Sequence, residues 1–289
     1  MSSKKTLLGI IAGSLLLSTL KGASTNPVTV AVVDAPAPPK ALKPFHEYHC
    51  GDPKLPTAYY FLDVHYDTDI KFRMADVYLQ DPKDAGYEKN REIGEQYRKV
   101  AEEGLTCQEQ IYLTLQQLQQ ERKISVGFGE GVHQGDSVEE YNRLVRRVVQ
   151  NYSLVDLVEA FKTGLIAFAA TQEFPVFGWE SMTQEEYDKL SGNFYREDKK
   201  LWEYYIAHGV DTTYQSRAKA QNEKLDETSK ERSNAAYDNP LAAAQQWMKK
   251  YKDAPRGYVV NIGAAHEKDI IERFKTDGHP NAVLYVCGE

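Results

Sequence analysis

Two short stretches of the sequence put carboxylates and imidazoles where chemistry can be done. The first is residues 124–136, I-S-V-G-F-G-E-G-V-H-Q-G-D, in which Glu130 and His133 stand among Gly127, Gly129, Gly131 and Gly135. Ile124, Val126 and Phe128 alternate as in a strand, so the glutamate and the histidine fall where that strand runs into a turn. Glycines at such a turn let the backbone approach a ligand closely. The second stretch is residues 258–266, an apolar run that ends in Gly263-Ala264-Ala265-His266. Glu180 closes a third run, Phe174-Pro175-Val176-Phe177-Gly178-Trp179-Glu180, just before a capping threonine, Thr183. Glu130, His133, Glu180 and His266 are thus all expected at strand ends. In parallel sheets the C-terminal strand ends face the crevice where ligands bind, so neighbouring strands would bring the four together.

Two chemistries suit that set. Two carboxylates and two neutral imidazoles can hold a divalent metal (Mn, Co or Zn) with one open position, where a bound water is acidified and attacks an ester or amide. Without a metal, a histidine oriented by a glutamate can take the proton from the attacking water. The remaining candidates read as structure. His46, His49 and Cys50 adjoin a proline-rich tether and read as surface residues rather than a metal cluster; His65 and Asp67 read as solvated strand-end residues. Arg232 reads as a helix-surface arginine unless the fold turns it inward.

Alternation of strand and helix patterns must position these residues. Residues 58–64 read as a strand. A helix is expected over about 107–122, opened by the Thr106/Glu109 capping box, with Ile111, Leu115 and Leu118 on its buried face. A second capping box, Ser137/Glu140, opens a helix to about 150, and residues 154–170 read as a more apolar helix. Beyond Glu180 the pattern turns helical and polar: residues 184–208, then 213–237 after Gly209-Val210-Asp211, then a further helix through 241–251 begun by Asp238-Asn239-Pro240. Tyr195, Trp202, Tyr204 and Tyr205 in this block are packing residues or the wall of a pocket. Strand 258–262, helix 267–275 and strand 282–287 imply a parallel pair joined by a right-handed crossover.

Composition narrows the partners. The 289 residues carry a net charge of −7 with acidic and basic side chains interleaved, which excludes a general nucleic-acid surface and leaves a small-molecule or peptide substrate. Lys4 and Lys5 precede an apolar run over 6–20 and small residues at 22–24, the pattern of a secretory signal peptide over 1–24, with an uncleaved anchor as the only membrane contact. Residues 25–44 form a proline-rich tether. An exported protein can use one pair of its three cysteines, Cys50, Cys107 and Cys287, as a disulfide, with the pairing open.

The phrase V-G-F-G-E-G-V-H-Q-G resembles the Gly-Glu-x-x-His-Gly turn of erythromycin-esterase-like proteins. Likewise G-A-A-H resembles the C-terminal Gly-x-x-His of the wider superfamily that includes TIKI and TraB proteins and ChaN-like haem-binding lipoproteins. The likeness runs over about 124–286 in order and spacing, and departs where Gln134 separates His133 from Gly135. It implies a second strand-end glutamate, matched by Glu180 in F-G-W-E, and an arginine in the helical insert, for which Arg232 is the candidate that would steady an oxyanion. It also implies an ester- or amide-cleaving hydrolase, metal-assisted or metal-free, or, on the ChaN-like side, a haem- or small-ligand-binding protein without catalysis. The fold expected is α/β: a single domain over 45–289, its mixed or mainly parallel sheet flanked by helices, with a large helical insertion over about 183–251.

Overall fold

The structure, a computed structural model, describes residues 39–48, 55–63, 87–138, 152–161, 163–277 and 281–287. The expected signal peptide, most of the tether, His49, Cys50, His65, Asp67 and nearly all of the helix expected over 137–150 lie outside them. The fold is α/β, a six-stranded sheet with helices on both faces. In chain order the elements are β1 (His46–Tyr48), β2 (Thr57–Asp63), α1 (Tyr87–Gln120), β3 (Val126–His133), α2 (Leu154–Phe161), α3 (Gly164–Gln172), β4 (Val176–Glu180), α4 (Gln184–His208), α5 (Thr212–Lys250), β5 (Gly257–Gly263), a 3-10 turn (Ala264–His266), α6 (Glu267–Thr276) and β6 (Ala282–Val286). Strand order is β1-β6-β2-β5-β3-β4, antiparallel only at β1. The expected pairing of β5 with β6 does not occur: β2 lies between them and is parallel to both.

A sheet buried on both faces sends alternate side chains into two cores. Tyr59 and Phe61 of β2 and Val259 of β5 join α1, α2 and α3 on one face. Ala58, Tyr60 and Leu62, with Tyr258, Val260 and Ile262, pack under α5 and α6 on the other. On the first face, α1 is longer than its capping pattern suggests. Gly94, Ala101, Gly104, Gln108, Ile111, Leu115 and Leu118 form one buried stripe at intervals of three, four or seven residues. The two glycines therefore sit on the packed side of a continuous helix, and contact with the core offsets their cost of about 1 kcal/mol each relative to alanine. Thr106 and Glu109 are mid-helix and open nothing.

The apolar stretch 154–170 is likewise two helices rather than one. Thr163 Oγ1 accepts the Ile166 N–H and starts α3 afresh. Gly164 is pressed so close to α1 that a Cβ there would lie 2.2 Å from the Gln108 carbonyl oxygen, while its own N–H donates to Gln108 Oε1. A disulfide joins Cys107 of α1 to Cys287 beyond β6, 180 residues apart, and pins the first helical layer to the far strands.

The insertion is a hairpin of α4 and α5. The Thr183/Glu186 capping box forms and Gly209 ends α4, as the sequence implies. Pro240 starts no new helix: α5 runs through it. A proline cannot pair with the carbonyl four residues back, and Tyr60 Oη donates to that orphaned Ala236 oxygen instead, at 3.2 Å. Among the described residues, no helix is long and apolar enough to cross a membrane.

Candidate functional site

Three parallel strands and α5 deliver the charged groups. In register with β4, Gly129 stands opposite Gly178 and His133 opposite Glu180, so β3 carries two extra residues between these pairs. Such a bulge bends the strand and re-aims side chains. Here it takes Glu130 out of the ladder toward β5, where its Oε2 accepts the Gly263 N–H at 2.7 Å. The chain then turns through Gly135 at φ +89 and lays residues 134–138 along β4, with Gly178 N–H donating to the Asp136 carbonyl. Gly178 is required at this crossing, since a Cβ would meet the Val132 carbonyl oxygen at 2.1 Å.

Arg232 closes the cluster from α5. Its Nη2 lies 2.5 Å from Glu130 Oε1 and 2.5 Å from Glu180 Oε1, and Nε reaches Glu180 Oε2 at 3.4 Å. The guanidinium side chain is 16% exposed and those of the two glutamates 6% and 7%. Burial alone disfavours the charge on Arg232, but the hydrogen bonds and charges of Glu180 and Glu130 outweigh it and hold the group above its usual value. Trp179 supports the arrangement from below: its ring centre is 5.9 Å from Arg232 Cζ, and its Nε1 donates to the Asn261 carbonyl. Two turns along α5 from Arg232, Asn239 Nδ2 donates to the Trp179 carbonyl, fixing that face of the helix on β4.

His266 ends the 3-10 turn after β5 and is 4% exposed. Burial pushes its imidazole below the usual range; the Arg232 charge acts in the same direction, and Glu130, Glu180 and the Ser229 carbonyl act against it. Its Nδ1 lies 2.8 Å from Ser233 Oγ, and that hydroxyl is also 2.9 Å from Asp269 Oδ2 and 2.8 Å from the Ser229 carbonyl oxygen. Ser, His and Asp are therefore present, but in the wrong order for nucleophilic catalysis. There the histidine stands between serine and aspartate; here the serine stands between the other two, and it is fully buried.

Of the five residues expected at the site, Glu130, Glu180, Arg232 and His266 converge. His133 stands beside Glu180 in the ladder, yet its ring Nδ1 faces the Met182 carbonyl at 3.1 Å. The bulge displaces it by the two extra residues. The carboxylates thus enclose a guanidinium rather than an open cation position, and among the described residues no group of three or more His, Cys, Asp or Glu is arranged to hold a metal ion. His266 is oriented by a serine, not by the expected glutamate. Tyr204 and Tyr205 lie near the hairpin turn, Tyr204 bonded to Asp211 and Tyr205 against Tyr214. With 1.5 Å of rise per residue, Tyr214 is roughly 27 Å along α5 from Arg232, so these tyrosines tie the hairpin together and do not wall the cluster.

Ser233, Asp269 and the Gly263 amide are additions to the expected set. The available signal was thin: Ser233 follows Arg232, and Asp269 follows His266 by three, the spacing that shares a helical face. A further buried pair lies one strand over, where Asn261 Nδ2 donates to Asp63 Oδ2 at 2.6 Å. No protein-family model matches the chain, and neither a curated protein nor a solved structure does.

Proposed function

We propose that the chain is an exported hydrolase of ester or amide bonds, similar to erythromycin-esterase-like proteins, acting through Glu130, Glu180, Arg232 and His266 without a metal. The observation that carries the reading is the convergence of both strand-end glutamates on Arg232, 102 and 52 residues away in sequence, beside a buried imidazole. An arginine held by two carboxylates is a fixed positive charge in a nearly dry setting, where it is worth most to a developing oxyanion. His266 takes the proton from a water as its oxygen bonds to the substrate carbonyl carbon, and Arg232 stabilises the oxyanion. The carbonyl then re-forms, the bond to the alcohol or amine breaks, and His266 returns the proton to the leaving group. The Cys107–Cys287 disulfide suits an oxidising compartment and so supports export.

The test is a panel of activated aryl esters and anilides, assayed with and without a chelator, on the full chain and on His266→Ala. Removing a general base costs about 10²–10⁴ in rate, so chelator-insensitive turnover that falls by that factor is expected. Turnover that requires added Mn, Co or Zn would replace the metal-free mechanism with the metal-assisted one. Absence of turnover across the panel, together with a visible absorption band on adding haem, would replace the hydrolase with a ligand-binding protein.

A further inference from the structure

Ser233 Oγ has three polar neighbours and one hydrogen. The Ser229 carbonyl oxygen at 2.8 Å can only accept, and so can the Asp269 carboxylate at 2.9 Å. The hydroxyl hydrogen satisfies one of these two, leaving only oxygen lone pairs toward His266 Nδ1 at 2.8 Å. Were Nδ1 the bare nitrogen, the hydroxyl would have to donate to it, and Ser233 Oγ would then face two further acceptors with nothing to give them. Ser233 is fully buried and His266 nearly so, so the hydroxyl and the ring must resolve that conflict between themselves. The carboxylate sharpens the selection: Asp269 lies in the first turn of α6, where the helix amides favour a negative group.

We infer that Ser233 and Asp269 are positioning residues that hold neutral His266 as the Nδ1–H tautomer and leave Nε2 as its basic nitrogen. The pair acts through the imidazole and touches no substrate. This deepens the hydrolase reading and, for its consequence in catalysis, rests on it: the nitrogen that takes the proton from water is Nε2. It also accounts for a fully buried serine between α5 and α6, beside the packed Ala236, Tyr237, Ile270 and Phe274. A serine and an aspartate used only for structure would be replaceable there by small apolar residues with no effect on the ring.

The experiment reads the ring directly. Histidine-ring 15N–1H correlation spectra of the full 15N-labelled chain are recorded at pH 7.5, with the His266 resonances identified by their absence in His266→Gln. The expected result is an Nδ1–H tautomer populated at least about fivefold over the other, the lower bound set by the cost of an unmet buried hydrogen bond. In Ser233→Ala the preference falls, with the Ser229 carbonyl left as an acceptor for the ring. In Asp269→Ala it persists in weakened form, because the Ser229 carbonyl still takes the hydroxyl hydrogen. A wild-type ring in the Nε2–H form, or in fast exchange between forms, overturns the inference even if no variant folds. An unchanged tautomer in Ser233→Ala overturns the role of the serine. These readouts hold whether or not an ester is cleaved, so failure of the hydrolase reading remains separate. Where turnover is found, Ser233→Ala lowers kcat by about 10–100-fold with KM little changed, a part of the roughly 10²–10⁴ that a general base contributes.

Discussion

Replacing Arg232 with glutamine tests the architecture of the cluster before any substrate is known. The substitution removes the cation but leaves Glu130 and Glu180, 6% and 7% exposed, facing each other across the vacated space. Taking one partner from a buried ion pair costs about 3–5 kcal/mol, because the uncompensated charge stays buried. An exposed pair costs about 0–1 kcal/mol. The buried value applies here, since all three side chains are largely screened from water. For a folded unit of this size, a fall of about 2–4 °C in Tm per kcal/mol gives a drop of roughly 6–20 °C. Urea unfolding at pH 7.5 with the disulfide intact measures the loss, and 0.5 M salt should change it little, since screening acts weakly on buried charges. The triple variant Glu130→Gln, Arg232→Met, Glu180→Gln removes every charge together and should recover more than half of it. A loss under 1 kcal/mol for Arg232→Gln would refute the clamp, and failure of the triple variant to recover stability would refute its electrostatic origin.

Two other outcomes follow from the same geometry. The His266 imidazole is held below its ordinary value of 6.5 by burial, so below that pH the unfolded chain binds the proton that the folded chain resists. Its contribution to stability is full above 6.5 and is lost as pH falls from there through the folded value. The urea midpoint should therefore drop more steeply between pH 7.5 and 5.5 in the wild type than in His266→Asn, and parallel curves would contradict a neutral buried ring. The Cys107–Cys287 bond closes a separation of 180 residues, for which chain entropy gives about 5 kcal/mol. Cys107→Ala, Cys287→Ala should lose about that much in urea unfolding while far-UV circular dichroism below the transition stays unchanged.

Strands were the most legible part of the sequence, because in a sheet covered on both faces each strand is a short continuous apolar run bounded by turn residues. The runs at β2, β5 and β6 appear within a residue or so of their expected bounds. Helix boundaries were legible only where a cap and a change of burial coincide. Thr183/Glu186 begins α4, whereas the same pattern at Thr106/Glu109 lies inside α1, because the buried stripe continues upstream through Gly104, Ala101 and Gly94. At the site, Glu130, Glu180 and His266 could be picked out because each closes an apolar run. Arg232 could be named only by resemblance, since a polar helix surface offers many equivalent arginines. His133 was drawn to the cluster by its spacing from Glu130, which is blind to a two-residue bulge. Ser233 and Asp269 were invisible for a related reason: their meaning comes from contacts 33 and 36 residues away.

Pro240 gives α5 an index mark. A long helix lying on a sheet can in principle settle in several registers, and a slip of one residue would advance it 1.5 Å and rotate it by 100°. Only one register sets the carbonyl left open by the proline, that of Ala236, under the Tyr60 hydroxyl. One turn before that carbonyl stand Arg232 and Ser233. The same lock that compensates the missing amide therefore times the helix, so that its charge falls between two carboxylates and its hydroxyl against the imidazole. A residue that looks like a stop in the sequence acts in the fold as the alignment pin for both.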